Sequence, residues 1–319
     1  MTIKPGIKEL LWMAAGAVML LVVTLVVLHF RTEPSPAEQF AFKARRMDLV
    51  ARLRMNLASA SEAEKSAVLA VIDQDSQEFA DQARTAAAEV ERERKELGGL
   101  LEAGGTQGEK DLLARFSTVF NAFQRLDHDI LTLAVKNSNI KAYGLAFGPA
   151  ADAIKDMDTA FSRLMAKSAV WPEARDVALL ALGAQAAALR IQVLLPPHIA
   201  EANDKKMDEL EARMNREDRE VRKNLDGLAA VRDLGHDRDV QTAMADYARF
   251  SEVRARILAL SRENTNVRSI AMSLDPKRKV ILACLDCLSD LQRAIQDEPG
   301  AAANRGSMSN PRGLEVGKY

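Results

Sequence analysis

Cysteine is scarce in this chain of 319 residues: there are two, Cys284 and Cys287, three apart in a stretch that reads as helix. A lone pair cannot complete a zinc site. Leu288 follows, where a c-type haem attachment needs His, and a single helical turn suits a disulfide poorly. A redox pair or two small buried side chains are the readings left. Aromatics are 5% and long alternating β-branched runs are missing, so the material for sheets is lacking. Charge of one sign is lacking too, with 44 Lys+Arg against 45 Asp+Glu spread along the chain. No basic face is there to meet nucleic acid.

Catalytic signatures are equally thin. No G-x-S-x-G, H-E-x-x-H or Gly-rich phosphate loop occurs. The four histidines, His29, His128, His198 and His236, are scattered. Asp127-His128-Asp129 could touch a metal only if neighbours on a helix faced one way, and they do not. Asp73, Asp75 and Gln77 alternate like a calcium loop but lack its central Gly. Twelve methionines could ligate haem in a bundle, and core filling explains them better. No catalytic residue, metal or cofactor is expected, and the chain reads as a non-enzyme.

What is present is a repeat. Ile130–Pro149 reads ILTLAVKNSNIKAYGLAFGP and Ile257–Pro276 reads ILALSRENTNVRSIAMSLDP, 127 residues later. Ile, Leu, Leu, Asn, Asn and Pro match, and Ser138/Thr265, Ile140/Val267, Lys141/Arg268, Gly144/Ala271 and Leu145/Met272 are conservative pairs. A period of this length signals a duplicated unit. Phe116, Val119, Phe123, Leu126, Ile130, Leu133, Asn137, Ile140, Gly144 and Phe147 recur at steps of three and four. Phe250, Val253, Ile257, Leu260, Asn264, Val267, Ala271 and Leu274 do the same. That spacing predicts one buried helical seam in each copy. Asn137 and Asn264 stand at equivalent places on it, and a buried amide is costly unless its hydrogen bonds are met. Two readings stay open. One is a polar layer that fixes helix register. The other is a polar pocket of Asn137, Asn139, Asn264 and Asn266, with Lys141 and Arg268 at hand to receive an anion.

The chain begins with an apolar segment. Leu10–Leu28 is 19 uncharged residues, extended by His29 and Phe30, long enough as a helix to cross a hydrocarbon core of about 30 Å. It exceeds the apolar part of a signal peptide, and Ser35-Pro36-Ala37 is a poor cleavage site; an uncleaved anchor over 10–30 is expected. Residues 1–9 are then a cytoplasmic tail. The body is placed outside the cytoplasm, although Arg31, Lys43, Arg45 and Arg46 just after the span do not favour that orientation.

Residues 31–36 are a Pro-stiffened linker. A helix is predicted from Ala37 to Leu57, and a second from Ser61, whose spacing to Glu64 suits a capping box, to Gly98-Gly99. Helices over 109–145 and 150–168 complete a first bundle, 37–170. Trp171-Pro172 marks the boundary. The second bundle, 171–296, has helices over 173–195 (stopped by Pro196-Pro197), 199–230, 237–274 and 277–296. The apolar run Ala178–Leu195 contains Gly183, Gln185, Arg190 and Gln192 and reads as a bundle helix rather than a second span. Residues 297–319 have no apolar period and are expected to be disordered. The fold class is all-α: an N-terminal transmembrane helix followed by two tandem antiparallel four-helix bundles.

A span leading into a long helix, a Ser-rich break, a second long helix, an Asn-bearing third and a closing fourth resemble the four-helix-bundle sensor domain of methyl-accepting chemotaxis proteins. The tandem copy over about Ile7–Gln296 is similar to the helical bimodular variant of that sensor. The resemblance implies a small-molecule ligand bound between helices, a homodimer in the cytoplasmic membrane with a periplasmic body, and a role in chemotaxis or signal transduction. The sequence after Gln296 carries no second span and no signalling hairpin, so the signal would pass to a partner protein. A non-catalytic envelope scaffold is the competing expectation.

Overall fold

The computed structural model describes residues 6–32 and 35–297. Of the tail expected to be disordered, Asp297 is the last residue of α11; the rest of that tail, most of the cytoplasmic tail and Glu33-Pro34 of the linker lie outside them. No strand occurs among the described residues. Eleven α-helices are described: α1 (Ile7–Thr32), α2 (Pro36–Leu69), α3 (Asp73–Gly104), α4 (Gln107–Ala134), α5 (Ser138–Phe147), α6 (Pro149–Ser168), α7 (Ala174–Ala200), α8 (Asp204–Ala230), α9 (Arg238–Glu263), α10 (Thr265–Met272) and α11 (Arg278–Asp297). The helical class follows from an Ala-, Leu-, Glu- and Arg-rich chain with few breakers.

Several boundaries differ from expectation, each for a local reason. α2 runs straight through Ser61 and Glu64, which are both buried. Capping boxes form instead at Ser35/Glu38, where the Ser35 amide donates to Glu38 at 2.7 Å and the Glu38 amide to Ser35 at 3.2 Å, and at Thr106/Glu109. Both precede a helix, whereas Ser61 sits in a continuous Ala-rich helix with nothing to stop it. α3 passes Gly98-Gly99, since two glycines cost a packed helix only about 1 kcal/mol each. It ends at Gly104, with the Gly105 amide on the Leu101 carbonyl at 2.8 Å. α7 continues through Pro196 and Pro197 to Ala200.

Contacts divide the chain into two compact units. The first comprises the described residues of Met1–Arg54 and Asp286–Tyr319 together with Arg92–Arg115. Leu49, Leu53, Leu97, Leu101, Leu288 and Leu291 are buried there. Arg46 forks onto Glu109 with bonds of 2.9 and 2.8 Å, both side chains buried, and its guanidinium lies 4.8 Å from the Phe42 ring centre. α11 is tied in by Arg54 to Ser289 and by Lys43 to the Gln296 carbonyl at 2.7 Å. The side chains described in α1, Trp12 and those from Ala14 to Leu25, are exposed throughout.

The second unit comprises Met55–Glu91 and Phe116–Leu285. One core joins Ala150, Ile154, Met157, Phe161 and Leu164 of α6 to Val177, Ile191 and Leu195 of α7, Met214 and Leu225 of α8, and Phe250 and Ile257 of α9. The boundary expected at 170/171 therefore falls inside a single core. α6, the last helix of the first repeat, packs with the three long helices of the second. By length and composition α7 is apolar enough to cross a membrane; its Val177, Ala181, Ala184, Ala188, Ile191 and Leu195 are buried against neighbouring helices.

Both predicted seams change phase part way. α4 ends at Ala134, a short turn before Asn137, and α9 ends at Glu263, directly before Asn264. Asn137 (φ 49°) and Asn264 (φ 53°) lie in the left-handed region, and a new helix starts at the next residue. Asn is among the few residues that visit this conformation readily. Beyond the breaks, Gly144, Phe147, Ala271 and Leu274 turn outward, while Ala142 and Ala146 turn in. The departure is the same in both repeats.

Candidate functional site

The two breaks face each other. The Ser138 amide donates to Thr265 Oγ1 and the Thr265 amide to Ser138 Oγ, both at 3.1 Å. One residue on, the Asn139 amide donates to Asn266 Oδ1 at 3.2 Å and the Asn266 amide to Asn139 Oδ1 at 3.1 Å. The side-chain amides continue the exchange: Asn266 Nδ2 donates to Asn137 Oδ1 at 2.9 Å and Asn139 Nδ2 to Asn264 Oδ1 at 2.8 Å. Partners are separated by 127 residues in the first four bonds, the spacing of the repeat. Symmetry explains this: the first amides after each break lack helical acceptors, and the equivalent residue across a local two-fold supplies them. All six side chains are at least nine-tenths buried.

This layer also caps a helix. Asn139 Nδ2 donates to the Ile199 carbonyl at 2.7 Å and Asn264 Nδ2 to the Glu201 carbonyl at 2.9 Å, while Ser261 Oγ donates to the His198 carbonyl at 3.0 Å. The free carbonyls at the end of α7 are thus taken up by side chains from the breaks. Near the end of α2 the Ala67 carbonyl accepts from Ser76 Oγ at 2.9 Å. Asn137 Nδ2 turns to Asp73 Oδ1 at 3.1 Å.

The structure brings Asn137, Asn139, Asn264 and Asn266 together and leaves Lys141 and Arg268 exposed, outside the layer. Lys141 Nζ lies 2.9 Å from Asp73 and 2.8 Å from the Lys136 carbonyl. Hydrogen bonds from Lys141 and Asn137 hold the Asp73 carboxyl below its usual range. The amides bond to one another, to backbone carbonyls and, through Asn137, to Asp73, a pattern compatible with a register-fixing layer. Ser138 and Thr265, central to it, were visible in the sequence only as a conservative pair.

Two buried ionisable clusters flank the breaks. His198, fully buried, has Nδ1 at 2.8 Å from Ser261 Oγ and Nε2 at 2.8 Å from Glu211. Burial pushes its pKa down, against the pull of Glu211. Arg262 binds Glu211 at 2.7 Å and also Asp208. Burial alone would push the Glu211 carboxyl up, and bonds from Arg262 and His198 outweigh it, so it sits low. On the first-repeat side, Lys277 ends the π-helical turn Ser273–Lys277. It is fully buried, bonded to Asp127, 3.8 Å from the Phe123 ring centre and 3.9 Å from Glu64. Burial pushes the Glu64 carboxyl up, only partly offset by Lys277. Asp127 therefore points inward while its neighbours His128 and Asp129 line an open surface groove. The sequence presents Glu64 only as a capping residue and Lys277 only as the start of a helix, since single charges in a charged helix give no signal of burial. Cys284 and Cys287 are both buried, and burial pushes the Cys287 thiol up.

Comparison of the chain with protein-family models, with curated proteins and with solved structures gives no match.

Proposed function

We propose that the chain is a membrane-anchored, non-catalytic extracytoplasmic sensor of the chemoreceptor helical-bimodular kind. It would work as a dimer in the cytoplasmic membrane, bind a small molecule between its helices and report to a partner protein. The paired asparagine breaks support this reading most directly. They interrupt both long helices at equivalent points and tie each interruption to the other and to the end of α7. A ligand that shifted one of these helices would have to break or carry along bonds in both repeats, which is the coupling a sensor needs.

The test is a thermal-shift screen of the full chain in lipid nanodiscs against small organic acids, amines and aromatics. A true ligand at 100 times its Kd stabilises by about 2.7 kcal/mol, and substituting residues of its pocket removes the shift. A screen without hits turns the reading to an envelope scaffold. That alternative is favoured by one observation: the polar layer is closed on itself, with its amides bonded to protein.

A further inference from the structure

α7 has two apolar faces, and only one of them is used. Val177, Ala181, Ala184, Ala188, Ile191 and Leu195 enter the core. On the opposite side Leu179, Leu182, Leu189 and Val193 are 60, 52, 42 and 70% exposed, with Ala186 half-buried between them. The steps along 179, 182, 186, 189 and 193 are three, four, three and four, the a/d spacing by which one helix seats another. At 1.5 Å per residue the stripe is about 21 Å long, four turns. Isolated exposed leucines need no explanation, but a contiguous heptad stripe marks an interaction face.

Charge along the stripe selects the occupant. Leu189, Val193 and Leu194 floor a groove between α7 and α8 whose lip carries Arg190, Arg213 and Arg216. The carboxylate in that lining, Glu217, is already bonded to Arg190 at 2.7 Å. Between Val177 and Ala200 α7 contains no Asp or Glu. A second copy of α7 laid on this face would bring Arg190 and no acid to meet Arg213 and Arg216. An acidic helix would meet them with charge-assisted, bidentate bonds.

We infer that the outer face of α7, with the arginine lip of α8, docks an acidic amphipathic helix of another protein, apolar at a and d and carboxylate-rich along the edge facing Arg213 and Arg216. The inference is independent of the sensing role, and either can fail without the other.

The probe is a fluorescein-labelled, Ala-based 21-residue helical peptide with Leu at a and d and Glu at e and g. Its control carries Lys at e and g. Both are titrated by anisotropy onto the full chain in nanodiscs of zwitterionic lipid. The Glu peptide is expected to bind at least tenfold tighter than the Lys peptide, with an affinity that falls as salt rises. The double variant Arg213→Glu/Arg216→Glu should reverse that preference. Leu189→Glu should abolish binding of both peptides, with helical content and melting temperature unchanged. Equal binding of the two peptides, a preference that survives the charge reversal, or no binding at all would each overturn the inference. So would sedimentation showing a chain dimer that Leu189→Glu dissociates, since the occupant would then be a second copy. Preferential binding of the chain to phosphatidylglycerol vesicles, lost in the same variant, would replace the helix by a lipid surface.

Discussion

At the scale of single residues, the positive φ of Asn137 and Asn264 separates two contributions that a simple truncation would merge. Asn137→Gly and Asn137→Leu both remove the bonds to Asn266 and Asp73. Only leucine must also hold a branched side chain in the left-handed region, at about 1–2 kcal/mol. Urea unfolding should therefore find the Leu variant less stable than the Gly variant by about that amount. His198 gives a pH signature. Its folded pKa lies below the unfolded value, so the unfolded chain binds more protons in the window between them, and stability falls as pH drops below about 6.5. Glu211, with its lowered pKa, adds a further loss in the same direction at more acidic pH. The urea midpoint measured from pH 8 to 5 should decline, and His198→Gln should flatten the part near pH 6. Glu64 acts in the opposite sense. Its carboxyl is raised, so stability is lost as pH climbs from the unfolded value through the folded one, and Glu64→Gln should raise the urea midpoint at pH 8. If Glu64→Gln lowers it instead, the carboxylate is a needed partner of Lys277 rather than a penalty.

At the scale of helices, most of what could be read from the sequence was periodic. The closing helices α6 and α11 were expected within a residue or two of their observed ends, because a Gly-Pro or Asp-Pro break precedes each and a clear seam follows. Interior features depart from the periodic pattern where a local signal competes with packing. Ser61/Glu64 has capping spacing but no preceding break, and Pro196-Pro197 falls in a last turn already held by His198, Asn139 and Asn264. The breaks themselves were hidden because Asn fits a helical seam in a linear pattern. Nothing in the linear pattern announces that the residue leaves the helix and rotates everything after it. The buried pair Arg46 and Glu109 was equally silent, for the same reason as Lys277. Here too a prediction belongs: Glu109→Gln leaves Arg46 buried beside a neutral partner. It should cost about 3–5 kcal/mol, read by thermal denaturation.

At the scale of the molecule, the repeat was legible and its assembly was not. Matching residues show that a unit was copied, but they do not show which copy closes which bundle. The core assigns α6 of the first repeat to α7, α8 and α9 of the second. Conversely, Lys277 at the entrance to α11 reaches Asp127 and Glu64 of the first repeat. A cut at the expected boundary would strip α6 from its core. Burial of Ile154, Met157, Phe161 and Leu164 is worth about 1.5–3 kcal/mol each, together comparable to the roughly 5–15 kcal/mol that holds a whole domain. Fragments 1–170 and 171–319 should therefore be molten when separate and regain a cooperative melt when mixed, as followed by circular dichroism. Two fragments that each melt cooperatively alone would argue for tandem, self-contained bundles.

The exchange of closing helices bears on origin. A solitary ancestral copy with this geometry could satisfy its amides and fill its core only by clasping a twin, each lending the other its final segment. Residues 169–173, five positions between Ser168 and Ala174, are then the short covalent link between the two repeats. Asn137 and Asn264 would be the surviving handshake of that older pair.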